Sequence, residues 1–191
     1  MNWETLLCLG DSITFGARSY CAYPDYAGAA LEKALKNHWQ VVTYAVNGHT
    51  AMDLQRLMTA DFANIKQFDA GVVSLLIGTN DIKKNTPISD YEIAYRQILL
   101  KIKLLAPGKR IFMIKIPHFP AGLAYPYTFE MNDTIKIYNL LLEKLATDYK
   151  ARLVEFQFEE GDFFDGIHLT AQGSLNAGKQ LAQFILYDKG K

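Results

Sequence analysis

Apolar runs rich in β-branched residues alternate along this chain with longer segments of helical period, and this alternation limits the fold more than any other feature. The runs are Thr5–Leu9, Val41–Val46, Gly71–Ile77, Arg110–Ile116 and Leu153–Phe156. Most are near-continuous Val/Ile/Leu stretches, the pattern of parallel strands covered by helices on both faces. Helical segments are expected at Tyr26–Asn37, Ala51–Met58, Ser89–Ala106, Asn132–Lys150 and Thr170–Leu186. Repeated βα units of this kind predict a three-layer α/β/α sandwich on a mostly parallel five-stranded sheet. With 191 residues the chain can bury one substantial core but is short for two, so a single domain spanning 1–191 is expected.

Local signals sharpen some boundaries. Ser89-Asp90-Tyr91-Glu92 has the spacing of a capping box, and Pro107-Gly108 is a stop signal for the same helix. In open sheets of this class ligands bind beyond the carboxyl ends of the strands. Ser12 follows the first strand, Gly48 the second and Asn80 the third, while His168 precedes the last helix. Four polar segments therefore fall on one rim.

A serine hydroxyl is a poor nucleophile near neutral pH unless a base takes its proton and a third group fixes that base. In Leu9-Gly10-Asp11-Ser12, Ser12 either caps a helix or presents its hydroxyl at the strand end. Asp165-Gly166-Ile167-His168 supplies an imidazole with a carboxylate three residues before it, so one short turn can aim Asp165 at one ring nitrogen and leave the other for Ser12. Asp11 is also acidic, but adjacent residues in a turn point apart, which leaves it a structural role. In a serine hydrolase Asn80, within Gly78-Thr79-Asn80-Asp81, would donate from its amide to the oxygen that becomes negative, beside the backbone N–H groups of Ser12 and Gly48.

Composition excludes several other classes. Twenty basic residues balance twenty acidic ones with no basic block, which argues against a nucleic-acid partner. No apolar run approaches the ~20 residues that span a bilayer, so no integral membrane segment is expected. Met1-Asn2-Trp3-Glu4 has no leader-like pattern, which predicts a cytoplasmic protein, although a secreted chain stripped of its leader reads the same. Cys8 and Cys21 form no disulfide framework and have no metal-ligand spacing with the four histidines; no metal and no cofactor is expected. Cys8 reads as a small core residue.

Together, Gly10-Asp11-Ser12, Val46-Asn47-Gly48-His49-Thr50, Gly78-Thr79-Asn80-Asp81 and Asp165-Gly166-Ile167-His168 resemble, in order, the four sequence blocks of the SGNH hydrolases, also called the GDSL family. The resemblance implies that family's flavodoxin-like fold. It also implies Ser12 as nucleophile, His168 as base and then acid, Asp165 as orienting carboxylate, and an oxyanion hole from Ser12, Gly48 and Asn80. Many members carry Asn at the position of Thr43 and an acidic residue at that of His49, so the second block departs from the pattern. The expected activity is hydrolysis of a small-molecule ester through an acyl-enzyme, with a short acyl group such as acetyl leaving a carbohydrate or small alcohol. A lysophospholipase or thioesterase for longer chains is the rival within the class, and a non-catalytic binding domain the rival outside it. The aromatic stretch 117–129, after the fourth strand, is the expected specificity element. Phe119, Tyr125 and Tyr127 from it, with His49, are the expected substrate-binding residues, and Tyr20, Tyr23 and Tyr26 are expected to extend the same wall.

Overall fold

A computed structural model describes residues 3–121, 123 and 126–188. Five strands form its sheet: β1 (Trp3–Gly10), β2 (His38–Ala45), β3 (Val72–Leu76), β4 (Arg110–Ile114) and β5 (Arg152–Val154). All neighbouring pairs are parallel, in the order β2-β1-β3-β4-β5. The helices are α1 (Ser12–Phe15), α2 (Tyr23–Leu35), α3 (Ala51–Ala60), α4 (Phe62–Lys66), α5 (Thr79–Lys83), α6 (Ile88–Leu105), α7 (Met131–Tyr149) and α8 (Ala171–Asp188).

The apolar runs are near-continuous because the strands bury both faces. In β1, Leu7 and Leu9 pack into one core with helices α3, α6 and α7, while Leu6 and Cys8 pack into the other with α2 and α8. β3 divides the same way, Val73 and Leu75 on one side and Val72 and Leu76 on the other. Cys8 is fully buried, and burial pushes its thiol up to about 12, so it serves as a core residue with no reactive thiolate.

The chain leaves β1 for β2 on one side and then returns to β3 on the other. That reversal opens a crevice beyond the carboxyl ends of β1 and β3, the place where ligands bind in sheets of this topology. Gly10 ends β1 opposite Leu76 of β3, so the residues that follow each strand meet there.

Two local expectations are corrected. Ser89 does not cap α6, because Pro87, with φ of −57°, starts the helix earlier and Ser89 instead donates to Asp90 Oδ1. Glu92 is then free to pair with Arg96 one turn on. β5 ends at Val154, two residues before the expected limit, and Phe156 turns into the α2/α8 core against Tyr23.

The connection after β4 is held by two buried asparagines of α7 that the sequence reading did not single out. Asn132 accepts from Phe119 N and donates to Phe119 O, at 2.8 and 2.9 Å. Asn139 does the same with Ile116, at 2.9 and 3.0 Å. A loop buried this deeply needs such partners for its peptide groups.

Candidate active site

Asp11 begins the site. Its Oδ1 accepts from Ile13 N at 3.0 Å, which makes Asp11 the cap of α1 and leaves Ser12 as the first helical residue. The sequence allowed Ser12 itself to be the cap; the neighbouring aspartate takes that role, and the serine hydroxyl is released from it. A residue in this position has a backbone N–H with no partner inside the helix, so it is available to an anion.

Ser12 Oγ lies 3.0 Å from His168 Nε2, across 156 residues of sequence. Asp165 Oδ2 lies 2.8 Å from His168 Nδ1. A carboxylate here requires the ring proton on Nδ1, which leaves the Nε2 lone pair facing the hydroxyl. The other oxygen, Asp165 Oδ1, accepts from Ile167 N and His168 N, so the carboxylate is fixed to the turn it sits on. Burial alone would raise Asp165, but these three hydrogen bonds outweigh it and hold the carboxyl below its ordinary value. Gly166, with φ of 80°, makes this turn possible, and a Cβ there would overlap Leu123 of the loop that packs against it.

Asn80 stands in the first turn of α5 and is nearly buried. Its Nδ2 donates to His49 O at 3.0 Å, which uses one of two amide hydrogens and leaves the second for a ligand. Gly48 sits at an exposed loop tip with φ of 79°, where no side chain would find a neighbour. The tip is fixed from α5 by polar links: Lys84 Nζ to Gly48 O at 3.4 Å, Asn80 to His49 O, and Ala51 N to Asp81 Oδ2 at 2.9 Å. Asp81 and Lys84 were not singled out in the sequence, where nothing local marks a carboxylate that will accept from a helix start thirty residues earlier.

The expected substrate-binding residues divide. Phe119 is 4% exposed, packed in the core edge-on to Tyr127 with its backbone tied to Asn132, and reaches only the wall of a cleft beside the Asp165–His168 turn. Tyr23 is likewise a core residue, its hydroxyl 3.1 Å from Thr14 Oγ1, and it walls no pocket. Tyr125 lies outside the described residues. Tyr127 is partly buried near the site; burial raises its phenol, and the charges of Asp11 and Asp165 add to the effect. His49 presents its carbonyl to Asn80, and its Nδ1 is buried with no hydrogen-bond partner among the described residues. Tyr20 is fully exposed.

Asp11 and Asp81 are both fully buried. Burial pushes Asp11 up to about 7, the hydrogen bond from Ile13 opposes this, and the nearby Asp81 adds to it. Burial likewise pushes Asp81 up to about 6, against the bond from Ala51. Below its ordinary value of 3.8 Asp11 is protonated in both folded and unfolded chains. Between that pH and about 7 only the unfolded chain releases the proton, so stability falls as pH rises through this window. Asp11→Asn keeps the acceptor for Ile13 and removes the titration. Thermal melts of the variant from pH 5 to 8 will therefore show a smaller loss of stability than the wild type, and parallel losses would contradict the assignment.

Among the described residues no helix is long and apolar enough to cross a membrane, and no three His, Cys, Asp or Glu side chains gather in a metal-binding group.

No curated protein matches the sequence. Among solved structures, a catalytic mutant of an acetylxylan esterase from Geobacillus stearothermophilus superposes with a TM-score of 0.75 at 21% identity, covering 98% of this chain and 94% of its own. A carbohydrate acetylesterase from Sinorhizobium meliloti gives 0.77 at 16% identity, with 96% and 99% covered. A psychrotrophic esterase from Pseudoalteromonas sp. gives 0.72 at 15%, with 98% and 100% covered. At these identities the likeness establishes the shared fold. The model of the GDSL-like lipase/acylhydrolase family matches residues 8–174, from within β1 to beyond His168. On that match the chain belongs to the GDSL-like lipase/acylhydrolase family and is a carboxylic ester hydrolase.

Proposed function

We propose that this single-domain chain is a serine esterase that removes a short acyl group, acetyl above all, from a carbohydrate. The observation that carries the reading is the relay Ser12 Oγ, His168, Asp165 at 3.0 and 2.8 Å. Ser12 Oγ attacks the ester carbonyl carbon while His168 Nε2 takes the hydroxyl proton. The carbonyl oxygen becomes negative and is held by Ser12 N–H, Gly48 N–H and the free hydrogen of Asn80 Nδ2. His168 returns the proton to the leaving alkoxide, and the acyl group stays on Ser12. A water then attacks with His168 again as base, and the carboxylic acid leaves. Asp165 keeps the imidazole in the right tautomer throughout and stabilises its charged form.

Two features favour a short acyl group. The loop after β4 packs down on the Asp165–His168 turn, with Leu123 against Gly166 and Pro120 Cγ 3.3 Å from where a Cβ would stand, so it crowds the turn that carries the base. Two of the structural relatives act on acetylated carbohydrates by their descriptions, and that substrate class is carried over to this chain as part of the proposal. A series of p-nitrophenyl esters from acetate to octanoate checks it. Turnover per active site is expected to be highest at acetate or propionate and to fall with length; a maximum at octanoate would overturn the short-acyl reading in favour of a lysophospholipase or thioesterase.

A further inference from the structure

Along the rim from the triad lies a surface cleft of about 500 Å³. His118 and Pro120, after β4, line one side; Gln157, Phe158, Glu159 and Phe163, after β5, line the other. The site and the cleft share a wall. Phe163 bridges Leu169, the residue after His168; Phe164 N donates to His168 O at 2.7 Å; and Pro120 abuts the Gly166 turn between Asp165 and His168.

Spacing fixes how far apart they are. Neighbouring strands lie about 4.8 Å apart, so the ends of β4 and β5 stand roughly 10 and 14 Å from the end of β1, where Ser12 begins. A single sugar ring whose acetyl carbonyl is placed at Ser12 Oγ does not reach that far, whereas the next units of a short chain do.

The lining chemistry suits such units. Phe158 and Phe163 are partly exposed, with ring centroids 5.0 Å apart and planes tilted by 58°, and they offer apolar faces to the C–H faces of sugar rings. Exposed Gln157, Glu159 and His118 supply donors and acceptors for hydroxyls. Glu155, also at the cleft, is paired with Lys115 Nζ at 2.8 Å, so Glu159 is the carboxylate placed to accept from a sugar hydroxyl.

We propose that this cleft is a subsite for sugar units that flank the acetylated one in an oligosaccharide substrate. The inference rests on the carbohydrate-deacetylase reading above. It is tested by measuring kcat/KM for p-nitrophenyl acetate, acetylated xylose and acetylated xylotriose in the wild type, Phe158→Ala and Gln157→Ala. The wild type will prefer the trisaccharide to the monosaccharide. Phe158→Ala will lower the ratio of trisaccharide to p-nitrophenyl acetate turnover about tenfold, as loss of one stacking face predicts. Gln157→Ala, at an exposed side chain, will lower the same ratio and keeps the test open where Phe158→Ala does not fold. No preference for the trisaccharide, or a ratio unchanged in the folded variants, overturns the subsite while leaving the deacetylase reading intact. Turnover of p-nitrophenyl acetate with neither sugar accepted overturns the deacetylase reading itself.

Discussion

His168→Ala will lower kcat toward p-nitrophenyl acetate by on the order of 10⁶, and Asp165→Asn by on the order of 10⁴, with both proteins folded. The difference follows from geometry. Replacing the Asp165 carboxylate with an amide leaves a ring at 3.0 Å from Ser12 Oγ that can still adopt the accepting tautomer part of the time. Removing the ring leaves no base at all. Asp165 is also bonded to Ile167 N and His168 N, and an asparagine oxygen can keep those bonds, so the turn survives the change. Circular dichroism confirms folding, and steady-state kinetics checks the order of the two effects. Wild-type activity in Asp165→Asn would contradict the relay and move the orienting role to Asp11, despite its burial and its use as the α1 cap.

The succession of strands along the chain and the four polar segments are legible because each is imposed by something local. Strands buried on both faces need near-continuous apolar runs, and acyl transfer needs a serine, a base and a carboxylate in fixed relation. Asp165 and His168 could be paired from sequence because only one turn separates them. Their meeting with Ser12 required the topology, which puts the end of β1 at the crevice that the last loop crosses.

What escaped the sequence is equally physical. α1 and α5 have four and five residues, too few for any hydrophobic period to show. The aromatic loop after β4 was read as a pocket wall from composition alone. Which of its rings face inward is decided by Asn132, whose pair of bonds to Phe119 draws that residue into the core. Nor does sequence spacing reveal that Asp81 accepts from Ala51 N and so anchors the loop of Gly48 to the helix of Asn80. A buried polar side chain is assigned its partner by tertiary packing, and its identity alone leaves that partner open.

The relay assigns the acyl-enzyme to Ser12. Ser12→Ala removes the attacking oxygen but keeps the backbone N–H and the Asp11 cap, so the fold and the anion site remain. Turnover will fall by on the order of 10⁶, to the residual rate that the oxyanion hole and substrate binding supply alone. The most direct measurement is intact-protein and peptide mass spectrometry after treatment with a fluorophosphonate, which traps an activated serine. One adduct is expected, on Ser12, in the wild type and none in Ser12→Ala. An adduct on another residue, or undiminished ester turnover in Ser12→Ala, would contradict it.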